Sequence, residues 1–228
     1  MTFSITPLHI GTIIRKKTNM LFQCGDDTPT EFPLISFLLV GEDGRKFLVD
    51  TGGSTPDGKR WMPYWRPVNQ NLENKLEEHG ISPDEIEGVF FTHLHWDHAG
   101  NNALFKNAKF YVQKQEYLSV TERHMPGFEK ELVLKSTYFL LDGDQTDIVP
   151  GISAVLTPGH SEGSQTIIVD TPAGKTAIAG DLFPTFENVS LKIPGGVHYD
   201  FDTIVASMNK VLSLGITILP GHEMSLIK

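Results

Sequence analysis

A single cysteine, Cys24, stands in a chain of 228 residues. With no second thiol there is no internal disulfide, so a disulfide-pinned scaffold is excluded and the fold must rest on a hydrophobic core. A lone cysteine among apolar neighbours reads as a small buried residue. Long apolar runs are also missing: none approaches the ~20 residues that span a bilayer. Arg15, Lys16 and Lys17 are not followed by the apolar stretch of a secretory leader. The expectation is a cytoplasmic protein with no membrane segment. Positive charge is scarce too. Nineteen Lys and Arg against 28 Asp and Glu give a formal net charge of −9, which offers no basic footprint for nucleic acid or an anionic membrane. What remains is ordinary for a globular protein, with 39% hydrophobic and 21% charged residues. One domain over residues 1–228 is expected.

Strand signals come first, then strands alternate with helices. Ile35–Val40 and Phe47–Asp50 are β-prone runs flanking Gly41-Glu42-Asp43-Gly44, a hairpin turn. Residues 54–68 combine Pro56, Pro63 and Pro67 with Trp61, Tyr64 and Trp65, an aromatic-rich loop. Asn69–His79 carries Leu72 and Leu76 on one helical face and is closed by Gly80. Ser82-Pro83-Asp84-Glu85 resembles a helix start. Further strands are expected at Gly88–Thr92, Lys109–Gln113, Val149–Leu156, Gln165–Asp170, Lys175–Ala179 and Ile216–Leu219. Helices are expected at Gln115–Arg123 and Asp202–Leu214, with 93–102 as a loop and 124–135 as an irregular insertion. Sheets faced by helices follow, in an α/β or α+β arrangement.

The densest chemistry lies in Thr92-His93-Leu94-His95-Trp96-Asp97-His98, where three imidazoles and one carboxylate fall within six residues. In extended backbone at a strand end, His93 and His95 point to the same side. Asp97 and His98 follow where the chain turns, so one loop can present ligands to two adjacent sites. Three isolated residues of the same kind each come after an apolar run and a glycine: His160 in Thr157-Pro158-Gly159-His160, Asp181 in Ala179-Gly180-Asp181, and His222 in Leu219-Pro220-Gly221-His222. A lone histidine of this sort is usually a satisfied core or surface residue; it is the clustering that argues for a metal. Five His and two Asp suffice for two ions with positions left open for water or a substrate oxygen. The donor set suits zinc, and also iron or manganese.

The order and type of these residues resemble the metallo-β-lactamase superfamily from about Ile35 to His222. The resemblance implies an α+β fold, the αββα four-layer sandwich of two similar halves. It implies one site from His93, His95 and His160, a second from Asp97, His98 and His222, and Asp181 as the bridge. Asp50, in Leu48-Val49-Asp50-Thr51-Gly52, matches an aspartate that supports the metal loop without binding metal; read alone, it is equally a turn-forming residue. The missing secretion signal, and Asp where β-lactamases usually carry Cys or Ser, argue against antibiotic hydrolysis. The chain is most similar to the N-acyl homoserine lactonase-like group, in His95–Asn101, Val112–Tyr117 and Thr157–Gly163. That likeness implies two divalent metals, zinc first, and a small-molecule lactone or carboxylic ester attacked by hydroxide held between them, with Asp97 handling the proton. It implies a homodimer by analogy.

One departure stands out. The lactonases place a tyrosine three residues after the bridging aspartate, where this chain has Pro184, a residue without a donor. Either another group serves, such as Tyr199, His198 or Tyr64, or the substrate differs. Trp61, Met62, Tyr64, Trp65 and Phe183 are candidates for the substrate wall, and the same aromatics equally suit packing of a proline-rich loop. Alternative readings are a phosphodiester or thioester hydrolase of the same fold, or a mononuclear iron dioxygenase.

Overall fold

Phe3–Lys16 forms β1, a strand of 14 residues in which Pro7 and Gly11 interrupt the alternation of apolar and polar side chains. At Gly11 the strand bulges. Its φ is +144°, and its register against β2 (Pro29–Gly41) shifts between His9 and Thr12. A side chain at Gly11 would meet the Tyr64 ring at 2.7 Å. This computed structural model describes residues 1–54, 64–123, 127–128 and 136–227, without the side chains of Trp65 and Val68.

β1 and β2 pair antiparallel, and β2 pairs with β3 (Lys46–Val49) across the expected hairpin. β3 then runs parallel to β5 (Gly88–Phe90), which runs parallel to β6 (Lys109–Gln113), itself parallel to β7 (Tyr138–Leu141). With β4 (Tyr64–Trp65) beside β1, the seven-stranded order is β4-β1-β2-β3-β5-β6-β7. The second sheet has five strands in the order β12-β11-β10-β9-β8. These are β8 (Gln145–Val149), β9 (Ile152–Leu156), β10 (Gln165–Thr171), β11 (Gly174–Ile178) and β12 (Thr217–Leu219).

Three apolar layers hold the elements together. Between the sheets, Phe3, Phe37, Phe47 and Phe90 of the first meet Ile152, Ile167 and Ile178 of the second, all 1% exposed or less. Outside the first sheet, Leu72 and Leu76 of α2 (Leu72–Glu77) and Val120 of α4 (Lys114–Arg123) cover Leu48, Val89 and Val112. Outside the second sheet, Ile204, Met208 and Val211 of α6 (Phe201–Leu212) cover Ile168 and Ala177. Helix, sheet, sheet and helix therefore stack as the α+β sandwich expected from the resemblance. Helix starts obey local chemistry: Asn71 accepts from Asn74 N–H at 2.7 Å, and Asp200 from Thr203 N–H at 2.8 Å.

Several expectations change. The strand expected over Val149–Leu156 starts only at Ile152, as β9; Val149 ends β8, which was not expected, and Pro150-Gly151, with φ +89° at the glycine, turns one into the other. The 93–102 loop contains a short helix, α3 (Trp96–Ala99). The helix start at Ser82 becomes a single 3-10 turn. Strands β1 and β7, α1 (Lys17–Met20) and α5 (Phe186–Leu191) had no sequence expectation. Most of 124–135 lies outside the described residues. Among those described, no helix is long and apolar enough to cross a membrane.

Candidate metal centre

All seven metal-type residues converge at one end of the sandwich, on loops that leave strand ends. His93 and His95 follow β5, and Asp97 and His98 lie on α3. His160, Asp181 and His222 follow β9, β11 and β12. The glycine before each of the last three permits a close approach. A Cβ at Gly159 (φ +129°) would strike the backbone of Ile204 in α6, and one at Gly180 (φ +52°) would lie 2.5 Å from Thr92 Oγ1. At Gly221 it would lie 2.9 Å from the backbone of Gly180.

Three sets of ligand atoms gather, each within 4.8 Å: His93, His95 and His160; His93, His98 and Asp181; and Asp97, His98 and His222. His160 Nδ1 donates to the Val197 carbonyl at 2.8 Å, and His93 Nδ1 to Thr92 Oγ1 at 3.1 Å. Their Nε2 lone pairs then face each other at 3.2 Å, with His95 Nδ1 at 2.9 Å from His160 Nε2. Neutral imidazoles so arranged repel unless a cation sits among them. Nitrogens around tetrahedral zinc, with bonds of about 2.0–2.1 Å, stand roughly 3.3 Å apart. Burial first, then the neighbouring imidazoles, holds His93 and His95 well below the ordinary histidine range, so both are lone-pair donors at neutral pH.

Asp181 lies between two groups of imidazoles. Its Oδ2 is 3.4 Å from His160 Nε2, while its Oδ1 is 3.0 Å from His222 Nε2 and 3.3 Å from His98 Nε2. Burial favours its neutral form, yet His222, His160 and His98 together hold it well below the usual carboxylate range. His98 Nε2, His222 Nε2 and Asp181 Oδ1 are buried and lack hydrogen-bond partners. Buried polar atoms are ordinarily satisfied. Three orphans on neighbouring metal-type side chains are what a cation site leaves when it is considered without its ion. The residues present fit two divalent metals.

The far nitrogens are tied down. His222 Nδ1 donates to the Pro33 carbonyl at 2.8 Å, and His98 Nδ1 to Asp50 Oδ2 at 2.8 Å. Asp50 also accepts from Thr92 N–H and Thr92 Oγ1, both at 2.7 Å, and holds a left-handed φ of +61° to do so. It thus anchors the metal loop from behind. Glu116 on α4 was not singled out from sequence. Fully buried, its carboxylate accepts from Leu94 N–H at 2.9 Å, Ser161 Oγ at 2.7 Å and Gly163 N–H at 3.0 Å, joining the His93–His95 segment to the His160 loop.

The centre opens into a cleft of ≈ 240 Å³, whose walls include Ile13, Arg15, Met20, Pro184 and Val197 above His95, Asp97 and His160. A smaller lobe of ≈ 180 Å³ shares His95, His160 and Val197 and is lined by His198 and Tyr199, two of the expected substrate residues. The substrate wall otherwise needs correction. Phe183 is fully buried among Leu182, Ala179 and Ile204, beneath the cleft rather than in its lining. Tyr64 packs edge-on against Trp96 at 5.4 Å and donates to the Gly53 carbonyl at 3.0 Å, with burial pushing its pKa to about 12. Its hydroxyl hydrogen is thus already committed to Gly53. Trp61 and Met62 lie outside the described residues, as does the side chain of Trp65.

The sequence profile of the Metallo-beta-lactamase superfamily matches residues 32–222. The chain is similar to N-acyl homoserine lactonase AiiA of Bacillus thuringiensis subsp. kurstaki, 32% identical over 177 residues, covering 71% of this chain and 68% of that one. An N-acyl homoserine lactonase of Bacillus sp is 30% identical over 212 residues, covering 85% and 82%. Among solved structures, an N-acyl homoserine lactone hydrolase with the product N-hexanoyl-L-homoserine bound at its catalytic metal center superposes with a TM-score of 0.88. It is 25% identical, over 99% of this chain and 95% of that chain.

Proposed function

The chain belongs to the metallo-β-lactamase superfamily, as a metal-dependent hydrolase of its lactonase-like group, and from that premise we propose that it opens a lactone, or cleaves a related carboxylic ester. The observation that carries this reading is Asp181, whose two oxygens point to different imidazole groups at 3.0–3.4 Å. Such a carboxylate belongs between two ions. We assign His93, His95 and His160 to one and Asp97, His98 and His222 to the other. Zinc is the metal this donor set favours.

When bound, the ions polarise the carbonyl and lower the pKa of a water so that it is a nucleophile near neutral pH. The protein supplies the rest. Asp50, Pro33 and Val197 fix the imidazoles through hydrogen bonds to their far nitrogens. Asp97, 9% exposed and 4.0 Å from His222 Nε2, borders the cleft. It takes a proton from the attacking water and returns it to the leaving alkoxide as the ring C–O bond breaks. The balance is one water added, one carboxylate and one alcohol formed, and one proton released to solvent as the product acid ionises. The apolar walls Ile13, Met20, Pro184 and Val197 keep competing water away.

The test is a panel of lactones, p-nitrophenyl esters and bis-phosphodiesters, with metal analysis of the purified protein. Two equivalents of metal and turnover of lactones are expected. His95→Ala and Asp181→Ala should lose metal and turnover together; full activity in either variant overturns the assignment.

A further inference from the structure

Arg15, Lys16 and Lys17 are consecutive on β1 and at the start of α1, yet they meet different fates. Lys16 pairs with Asp27 at 2.8 Å and Lys17 with Glu187 at 3.1 Å, both outward. Arg15 has no ion pair among the described residues. Its Nε is buried without a hydrogen-bond partner, and its side chain lines the metal cleft. Strand alternation explains the direction: Ile13 and Arg15 share one face of β1, and both reach the cleft wall. Its charge is close enough to act on His95, one of the ligand imidazoles.

A guanidinium with no ion pair among the described residues, half-sunk in an apolar wall, is costly unless something else completes it. The carboxylates among the described residues of that lining, Asp97 and Asp181, belong to the metal-type cluster. Around Arg15 stand Ile13, Met20, Pro184 and Val197, which strengthen a charged contact by excluding water. The guanidinium fork matches a carboxylate in two parallel hydrogen bonds. A net charge of −9 over the chain disfavours anionic ligands in general, so a cationic group in this cleft, without an ion pair among the described residues, marks a local exception. The cleft of ≈ 240 Å³ and its adjoining lobe of ≈ 180 Å³ together lie toward the lower end of the roughly 300–1,000 Å³ of sites for drug-sized ligands.

We propose that Arg15 is a specificity residue that binds a carboxylate on the substrate, and that the natural substrate is a small lactone or ester bearing a negative charge. The inference rests on the hydrolase reading above and deepens it. The same residue answers the loss of a donor at Pro184 in a particular way. The cleft carries a permanent cation instead, aimed at a fixed charge of the substrate rather than at the charge that develops at the carbonyl.

The test compares a γ-butyrolactone carrying a ring carboxylate with its methyl ester, on the metal-loaded protein. Wild type should prefer the acid by roughly ten- to a hundredfold in kcat/KM, the value of one charged hydrogen-bonded pair. Arg15→Met should bring the ratio of kcat/KM for the acid over the methyl ester down toward one, through the KM of the acid, while Arg15→Lys keeps part of the preference. Equal losses on both substrates overturn the proposal, because they assign Arg15 to the developing oxyanion or to folding. A second readout is free of turnover: glutarate binding to metal-free protein by calorimetry, expected to be salt-sensitive and lost in Arg15→Met. If wild type hydrolyses neither compound while turning over other lactones or esters of the panel, a small charged lactone is not its substrate and the proposal falls; if it turns over no member of the panel, the hydrolase reading fails and the glutarate titration alone decides Arg15. Glutarate bound equally by wild type and Arg15→Met overturns the carboxylate site.

Discussion

Glu116 shows how a side chain that touches no metal can still govern the centre. One carboxylate accepts three hydrogen bonds from two ligand loops that are distant in sequence. Burial raises its pKa, and those three donors pull it back toward the charged form. Glu116→Ala leaves two backbone N–H groups and one hydroxyl buried without an acceptor, a loss on the order of 3 kcal/mol in denaturant unfolding of the metal-free protein. Metal affinity, read by chelator competition, should fall about ten- to a hundredfold, and Glu116→Gln, which keeps one acceptor oxygen, should recover part of it. An alanine variant that is less stable but binds metal like wild type would make Glu116 structural only. His9 on β1 gives a pH prediction away from the metals. Its ring lies between Thr12 Oγ1 at 3.1 Å and Gln70 Nε2 at 3.3 Å, and burial lowers its pKa. A histidine lowered in the folded state takes up its proton more readily when unfolded. The stability of the wild type should therefore drop relative to His9→Gln as pH falls below about 6.5. Unfolding curves of both proteins from pH 7.5 to 5 check this; a difference that stays constant with pH contradicts it.

The connections between strand ends and ligands depend on glycine in a way that can be separated from general backbone strain. Gly180 has φ +52° and would place a Cβ 2.5 Å from Thr92 Oγ1, the hydroxyl that joins Asp50 to His93. Gly215, after α6, has φ +64° but open space around it. Alanine at Gly215 should cost only the left-handed strain, about 1–2 kcal/mol. Alanine at Gly180 should cost more and weaken metal binding as well. Equal effects in thermal melts and chelator titrations would remove the steric argument. The same elements explain what could be read in advance. The seven metal-type residues stood out in the sequence because four form one motif after the apolar run Gly88–Thr92, and the other three each follow an apolar run and a glycine that allows a close approach. β6 was legible in full, as Lys109–Gln113. β1 was not, since Pro7 and the bulge at Gly11 break its alternation. Nor was β7, an edge strand whose Phe139 and Leu140 are 48% and 43% exposed. Arg15 carried no local signal and Glu116 was marked only as part of the Val112–Tyr117 segment, because the role of each comes from partners that only the tertiary fold brings near.

At the scale of the molecule, the seven metal-type residues come from both sheets. His93, His95, Asp97 and His98 follow β5 of the seven-stranded sheet, whereas His160, Asp181 and His222 follow β9, β11 and β12 of the five-stranded one. Two ions held across that division would act as struts between the halves, over and above the phenylalanine and isoleucine layer that joins them. Binding that requires the folded arrangement adds its free energy to folding. With free metal a thousandfold above its dissociation constant, each site adds about 4 kcal/mol. For a domain of this length, each kcal/mol moves Tm by roughly 2–4 °C. Removing both ions with a chelator should therefore lower Tm by on the order of 10 °C or more, and two equivalents of metal should restore it. Asp181→Ala, which lacks the carboxylate shared by both groups, should melt near the metal-free value whether or not metal is added. His95→Ala, altered in one group only, should respond in between. If chelation leaves the wild-type melt unchanged while removing both ions, the apolar layer holds the halves alone and the metals serve the chemistry without bracing the fold.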